Sequence, residues 1–152
     1  MKWRDYLLGI WNFWPPFFFS GIRIHSIAKD FRRVEVHLKL RWWNANYVGT
    51  LFGGSMFAMT DPFFMVMLMK NLGRQYIVWD KAASIDFIKP GRSHVRVIFE
   101  LSEEVLQDLR QRLEVEPKVL WNVTLPITDF QGEQIAQVQK TLYLKKKNQP
   151  RK

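Results

Sequence analysis

Two hydrophobic periodicities alternate along the chain, and together they predict a mixed α+β protein. Apolar and polar residues alternate with period two over residues 33–41 and 93–101, which is the pattern of a half-buried strand. Weaker forms of this pattern, bounded by turn residues, predict four more strands at residues 22–27, 76–88, 118–125 and 133–144. Most of these segments follow one another through short turns, so we expect a predominantly antiparallel sheet.

A central segment, residues 55–69, has the composition of a fully buried helix. It is apolar on every side except at Thr60 and Asp61, and Gly73 provides a stop signal shortly after it. A helix of this length is too short to cross a bilayer, so the surrounding protein must bury it. We therefore predict a curved antiparallel sheet wrapped around one buried central helix.

The amino-terminal segment, residues 2–14, is predicted to be an amphipathic helix that ends at a proline pair. Its apolar positions fall at helical spacing, at Trp3, Leu7, Ile10 and Trp14. Polar residues and the prolines interrupt the apolar run, which argues against a cleaved signal sequence and against a spanning helix. We expect this helix to pack against the domain, with contact to a membrane surface as the alternative.

The chain is predicted to form one domain with a short extension at each end. It has 152 residues, of which 47% are hydrophobic, and this is enough to build a core and to exclude a disordered protein. Residues 1–20 form the amino-terminal helix and proline turn, residues 21–145 the main domain and residues 146–152 a basic tail. A third helix is expected after Ser102, which has the features of an N-cap.

The absence of cysteine narrows the possible chemistry. It excludes structural disulfides, thiolate metal sites and a cysteine nucleophile, and it favours a reducing compartment, so the expected location is the cytoplasm. The histidines, His25, His37 and His94, lie on separate predicted strands. Each is interpreted as a surface residue, and no metal site is predicted.

The charge balance favours an anionic ligand. Lys and Arg number 23 against 14 Asp and Glu, a net charge of +9 that attracts nucleic acid, an anionic membrane or a small ligand with several phosphates. The basic residues are spread over several strands and the tail, and no nucleic-acid-binding motif is present. Nucleic acid is therefore not predicted as a partner.

Candidate chemistry is concentrated in the loop at residues 42–54 and the helix after it. The loop contains Asn46 and Gly49 and ends with Gly53 and Gly54, and Asp61 follows seven residues later. A glycine pair at a helix start leaves backbone N–H groups free to bind a developing oxyanion, although a tight turn explains the same glycines. Asn46 is either a substrate-orienting group or a turn former.

This pattern resembles the hotdog-fold acyl-CoA thioesterases of the phenylacetate-pathway branch. That branch has the motif N-x-x-G-x-x-H-G-G followed by an acid, and residues 46–54 match it except that Phe52 replaces the histidine. Residues 84–91 are similar to a strand that ends in a basic-Pro turn in that superfamily. The chain is most similar to a bacterial hotdog family with F-G-G-S at this position, a domain of unknown function.

The resemblance implies a homodimer or a dimer of dimers that hydrolyses an acyl-CoA thioester. Coenzyme A would enter as part of the substrate, with no separate cofactor. The ligand would lie between subunits, with the Gly54 amide as oxyanion donor and Asp61 of one chain facing Gly54 of its partner. Asp61, expected to be buried on the central helix, would be the general base or nucleophile. Because Pro62 follows it, Asp61 is alternatively a helix N-cap.

The remaining candidates would contact the ligand. Phe52 makes the pocket mouth apolar, Gly53 and Ser55 lie beside it, and Lys89 and Arg92 flank a turn from which they could reach the phosphates of coenzyme A. Trp42 and Trp43 would stack on adenine or cap the pocket, or pack in the core or at an interface. Asp80 and Lys81 are interpreted as an ordinary ion pair on a strand, with a functional pair across a subunit interface as the alternative. The alternative to a thioesterase is a non-catalytic acyl-CoA- or lipid-binding protein.

Overall fold

The computed structural model describes residues 10–147, which contain one six-stranded antiparallel sheet. All six predicted strands are present. They are β1 (Ile22–Ile27), β2 (Arg33–Leu38), β3 (Tyr76–Phe87), β4 (Val95–Glu100), β5 (Val119–Asp129) and β6 (Gln134–Lys146). Their order in the sheet is β1-β2-β4-β5-β6-β3, so β1 and β3 are the edge strands.

The helices pack on one face of this sheet. They are α1 (Pro15–Ser20), α2 (Gly53–Ala58), α3 (Phe63–Leu72) and α4 (Glu103–Val115). The predicted cap of α4 is present, because the Ser102 hydroxyl accepts a hydrogen bond from the Val105 amide. Buried leucines of α4, phenylalanines and methionines of α3 and the inward residues of every strand form a single core.

The central helix is divided, whereas the sequence predicted one continuous helix over residues 55–69. α2 ends at Ala58 and α3 begins at Phe63, with Asp61 and Pro62 in the break and a cis peptide bond between them. Proline has no N–H and its ring clashes with the preceding turn, so the helix cannot run through this position. The Ala58 carbonyl accepts a hydrogen bond from the Asp61 amide instead.

The amino-terminal region differs from its prediction at the proline pair. Residues 10–13 are helical as predicted, but Pro15 and Pro16 begin a second helix, α1, and do not form a turn. Proline is well suited to the first turn of a helix. Ile10 and Trp14 are exposed, and Trp11 packs against Phe63 with ring centroids 5.9 Å apart. Trp3 and Leu7 lie outside the described residues.

Asn12 fixes the rotation of this segment by completing the edge of β1. Its side-chain amide donates to the Ile24 carbonyl at 3.2 Å, and its side-chain oxygen accepts from the Ile24 amide at 2.7 Å. These two hydrogen bonds replace the pair that a neighbouring strand would make with Ile24. Among residues 10–147, every helix is too short or too polar to span a lipid bilayer.

Both edge strands contain a β-bulge that changes which residues face the helices. In β1 the register shifts between Ile24 and Ser26, so His25 is the extra residue. In β3 the register shifts between Asp80 and Ala82, so Lys81 is the extra residue. A bulge inserts one residue and reverses the inward-outward alternation beyond it.

Candidate active site

The glycine pair occupies the start of α2, as predicted. The Phe52 carbonyl accepts hydrogen bonds from the Ser55 and Met56 amides at 3.0 and 3.2 Å. The amides of Gly53 and Gly54 precede the first helical hydrogen bond, so they have no acceptor within the helix. Their N–H groups are the donors that an oxyanion would require.

Two phenylalanine rings explain why residues 53 and 54 are both glycine. A Cβ placed on Gly53 would lie 2.7 Å from the Phe87 ring, and a Cβ placed on Gly54 would overlap the Phe52 ring. Phe52 itself is 55% exposed. The glycines therefore allow close approach of aromatic rings to the backbone, and the exposed Phe52 ring packs against Gly54.

Gly54 and Asp61 line the same cleft, which has a volume of about 490 Å³. The cleft lies between the helix break and β3, and Asp80, Lys81 and Lys140 form its polar wall, while Phe57 and small residues form the remainder. One protomer thus brings a backbone donor and two carboxylates to one opening. From the sequence, Asp61 was predicted as a site residue, whereas Asp80 was interpreted as part of an ordinary ion pair on a strand.

The placement of Asp61 corrects two expectations. Its side chain is 62% exposed instead of buried, because Pro62 interrupts the helix and turns the chain outward at this point. Nor is Asp61 an N-cap, since the residue before α3 is Pro62 and no side chain caps that helix. Asp61 stands at the mouth of the cleft, where a water molecule can reach it.

Lys140 is the residue that organises the cleft. The sequence showed it only as the one charge on the apolar face of β6. Its side chain is buried, and its ammonium donates to the Thr60 carbonyl at 3.0 Å, in the break between α2 and α3. The same Nζ lies 3.1 Å from Asp80 Oδ1 and 3.7 Å from Asp61 Oδ1. Lys140 therefore joins the sheet, the helix break and both carboxylates.

Asp80 pairs with Lys140 and not with Lys81, because Asp80 continues the inward alternation of Tyr76 and Val78 before the bulge, whereas Lys81 is the extra residue. Within residues 10–147, neither Asp80 oxygen makes a hydrogen bond of ordinary geometry, so the contact with Lys140 is electrostatic. Burial raises the pKa of the Asp80 carboxyl above 3.8; the Lys140 charge opposes this rise and neighbouring Asp61 adds to it. A carboxyl with a perturbed pKa that lines a cleft is a candidate functional group.

A second cleft, of about 460 Å³, lies on the other side of the glycine pair. Its wall is largely apolar and includes Leu51, Met56 and Phe87, with Asn46 and Lys89 at its margin. The Asn46 side chain holds a tight turn, since its oxygen accepts from the Val48 and Thr50 amides at 3.1 and 3.0 Å. The turn-forming interpretation of Asn46 is the one that these contacts support.

The two basic candidates lie apart. The Lys89 ammonium pairs with Glu133 on the turn between β5 and β6, and Arg92 is exposed in a different cleft beside His94 and Phe130. Trp42 and Trp43 are both exposed and contact each other edge to face. Ser55 is buried within α2. The predicted site residues thus divide between two clefts, since Asn46, Gly53 and Lys89 line the apolar one and Gly54 and Asp61 line the other.

Comparison with known proteins gives a family. Residues 6–144 match DUF4442, a domain of unknown function, over most of the chain. The chain belongs to this family. Comparison of this DUF4442 protein with curated proteins gives no significant match.

Solved structures with the same fold include proteins named as thioesterases. A Pseudomonas aeruginosa protein of unknown function, named a probable thioesterase, superposes with a TM-score of 0.73 at 21% identity over 84% of this chain and 85% of its own. A Haemophilus influenzae thioesterase gives 0.66 at 14% identity over 94% and 90%. The Escherichia coli PaaI protein of the phenylacetic acid degradation operon gives 0.62 at 14% over 96% and 92%. The predicted hotdog fold of the DUF4442 chain is confirmed.

Proposed function

We propose that this protein hydrolyses the thioester bond of an acyl-CoA. The observation that carries the proposal is the shared cleft, whose lining includes both Gly54, with its free helix-start amide, and Asp61. Thioester hydrolysis needs a donor for the developing oxyanion and a base for the attacking water. These two groups supply both requirements.

The reaction follows from the chemistry of the two groups. The thioester carbonyl oxygen accepts a hydrogen bond from the Gly54 N–H, and Asp61 takes a proton from a water whose oxygen bonds to the carbonyl carbon. The carbon–sulfur bond then breaks, and the proton on Asp61 passes to the departing thiolate. The products are a carboxylic acid and the free thiol of coenzyme A.

Lys140 and Asp80 act as positioning residues in this scheme. Lys140 holds the Thr60 carbonyl, so it fixes the backbone immediately before Asp61. Its charge also lies between the two carboxylates, which limits their mutual repulsion. Asp80 keeps Lys140 in place, because a buried ammonium requires a nearby negative charge.

The acyl chain would occupy the apolar cleft beside Gly53. Leu51, Met56 and Phe87 line it, and Phe52 extends the apolar surface towards Gly54. Lys89 and Arg92, with the net charge of +9, would attract the phosphates of coenzyme A. No cofactor is required by this mechanism, which uses water and the side chains of this chain.

A homodimer would form through β3. This strand has twelve residues, lies at the sheet edge and exposes most of its residues from Trp79 to Phe87. A long edge strand with unpaired backbone groups is a template for pairing with a second strand. Pairing of β3 with the same strand of a second copy would close this edge and bring the second copy's cleft next to the first.

A second function, acyl-ligand binding without hydrolysis, is favoured by one observation. Phe52 stands where the related motif has histidine, and its ring packs against Gly54. An apolar group there favours an acyl chain and contributes nothing to proton transfer. A binding protein would retain the apolar cleft and have no use for the Asp61 carboxylate.

The test is release of free thiol from short, aromatic and long-chain acyl-CoAs. We expect the unchanged protein to turn over at least one class, and Asp61→Asn and Asp61→Ala to lose about 100-fold or more, the usual contribution of a general base. Asp108→Asn is the matched control, since Asp108 is an exposed acid on α4 that pairs with Arg112, outside both clefts. Its turnover should equal that of the unchanged protein.

The outcomes separate the two functions. Full activity in Asp61→Ala would remove hydrolysis through Asp61 from consideration. Absence of turnover with every substrate, together with equal acyl-CoA affinity in the unchanged and Asp61→Ala proteins, would establish the binding function instead. Circular dichroism and sedimentation should confirm that each variant keeps its fold and oligomeric state.

A further inference from the structure

The bulge in β1 brings two histidines into contact on the outer face of the sheet. His25, the extra residue, stacks on His37 of β2, with ring centroids 4.3 Å apart and planes 14° from parallel. Val34, Val36 and Leu38 of β2 face the core, so His37 faces the opposite side from the helices. The two residues that were interpreted separately from the sequence form one cluster.

Glu35 completes this cluster, because it lies two residues before His37 on the same face of β2. Its Oε1 is 2.9 Å from His37 Nε2, and Glu35 and His37 are largely shielded from solvent. The hydrogen bond with His37 is the main cause of a lowered pKa of Glu35, so the carboxylate is ionised near neutral pH. One ligand atom from each of His25, Glu35 and His37 lies within 4.8 Å of the others.

We propose that His25, Glu35 and His37 bind a divalent transition metal ion of the zinc class. Two imidazole nitrogens and one carboxylate oxygen form a donor set that suits Zn²⁺ and its neighbours in the first transition series. Three protein ligands leave at least one coordination position for water or another ligand. The site is separate from the clefts beside Gly53 and Gly54, none of whose lining residues belongs to it.

Metal binding requires a small closure of the three side chains. Tetrahedral Zn²⁺ with bonds of about 2.0–2.1 Å holds its ligand atoms roughly 3.3 Å apart. The three ligand atoms already lie within 4.8 Å of one another, so rotation about side-chain bonds is sufficient. The metal would replace the His37–Glu35 hydrogen bond, and it would join β1 to β2 across the bulge.

Three neighbouring groups define the surroundings of the site. Arg33 NH1 lies 3.5 Å from Glu35 Oε2, and Arg96 NH1 lies 3.9 Å from Glu35 Oε1. These cations compete with a metal for the carboxylate, so binding depends on both histidines. Phe130 packs edge to face on His37 with centroids 5.0 Å apart, and it restricts the rotation of that ring.

The test is titration of the protein, without an affinity tag, with Zn²⁺ by calorimetry and with Co²⁺ by visible absorption. The chain has three histidines and no cysteine, so the cobalt bands report imidazole and carboxylate ligands without interference from thiolates. We expect one ion per chain. His25→Ala and His37→Ala should each reduce affinity by at least about 10-fold, a loss that even outer-shell changes cause at metal sites.

His94→Ala is the matched control. His94 is exposed, and its Nδ1 accepts a hydrogen bond from the Leu40 amide at 3.0 Å, away from the cluster. Its removal should leave affinity and the cobalt spectrum unchanged. The proposal is overturned if the unchanged protein binds no ion, or if His37→Ala, shown to be folded by circular dichroism, binds as tightly as the unchanged protein.

Glu35→Gln tests the carboxylate separately. It keeps the size of the side chain and removes the anionic donor, so Zn²⁺ affinity should fall and the cobalt spectrum should change. An unchanged spectrum would show that the carboxylate is not a ligand and would overturn the proposed donor set. Loss of affinity equal in His94→Ala and His37→Ala would indicate scattered surface binding and would overturn the site.

Discussion

The two edges of the sheet differ in how they are completed. β1 (Ile22–Ile27) has its outer edge covered at Ile24 by the side chain of Asn12, which supplies both a donor and an acceptor. β3 (Tyr76–Phe87) is twice as long, and within residues 10–147 only β6 pairs with it. The backbone groups of Ile24 are thus satisfied within one chain, whereas a long uncovered edge strand has unpaired backbone groups that a second chain can satisfy.

A one-residue bulge lies beside a polar cluster in each of these strands. In β1 the extra residue, His25, lies on the outer face and stacks on His37. In β3 the extra residue, Lys81, directly follows Asp80, which faces inward beside Lys140. Bulges are common next to functional sites, and here one lies beside a polar cluster on each face of the sheet.

The largest effect should come from removing the inner cation. Lys140→Ala leaves Asp80 buried without its counterion, and loss of one partner of a buried pair costs about 3–5 kcal/mol. Urea unfolding of Lys140→Ala should therefore show a large loss of stability. Lys146→Ala is the control on the same strand; it breaks an exposed, solvent-screened pair with Glu114 and should change the stability little. Equal losses in the two variants would contradict the organising role of Lys140.

Opening the covered edge should have the next largest effect. Asn12→Ala removes both hydrogen bonds to Ile24, at about 0.5–1.5 kcal/mol each, so we expect a loss of about 1–3 kcal/mol. Asn122→Ala, which removes an exposed bond from the Thr141 hydroxyl, is the matched control. Hydrogen exchange at the Ile24 amide should accelerate only in Asn12→Ala; unchanged protection there would show that Asn12 does not complete the edge.

Placing like charges on the bare edge should weaken the proposed dimer. The double change Ala82→Lys and Ser84→Lys sets lysines opposite lysines in a β3–β3 pair, and each such pair costs up to about 1 kcal/mol. Sedimentation should show a dissociation constant raised by about 10-fold or more. Thr124→Lys, on an exposed position of interior strand β5, should leave it unchanged. A monomeric unchanged protein would rule out the dimer.

The smallest effect should be a pH dependence caused by Asp80. Its carboxyl has a raised pKa in the folded state, so the folded protein holds this proton more tightly than the unfolded chain. The resulting stabilisation is complete below about pH 3.8 and declines as the pH rises through the folded-state pKa. The free energy of unfolding, plotted against pH, should therefore change with a different slope in the unchanged protein and in Asp80→Asn over this window. Equal slopes would contradict a raised pKa of Asp80.

The sequence was sufficient for the strands because their burial patterns have period two, and the turns between them carry Gly, Pro or Asp. It placed the end of β5 too early, at residue 125, because Pro126 normally excludes an interior strand. β4 pairs only with residues 127–129 of β5, so Pro126 lies where no β4 ladder bond is needed. Whether a proline is tolerated in a strand depends on the neighbouring strand, and the sequence of β5 alone does not show how β5 pairs.

The candidate site was predicted only in part, because part of it depends on which strands pair. Gly53, Gly54 and Asp61 follow from a local motif, but Lys140 lies 79 positions after Asp61 and joins it only through the register of β6. The prediction that Asp61 is buried was wrong because Pro62 interrupts the central helix. His25 does lie at the surface, as predicted, but its contact with His37 depends on the register of β1 against β2, which has no signature in this sequence.

Phe52 has a consequence for the speed of ligand entry. Its ring packs against Gly54 from an exposed position. Exposed rings change rotamer within picoseconds to nanoseconds, far faster than the turnover of ordinary enzymes. Rearrangement of this ring therefore needs no movement of the backbone, and it will not limit the rate at which ligands exchange near Gly54.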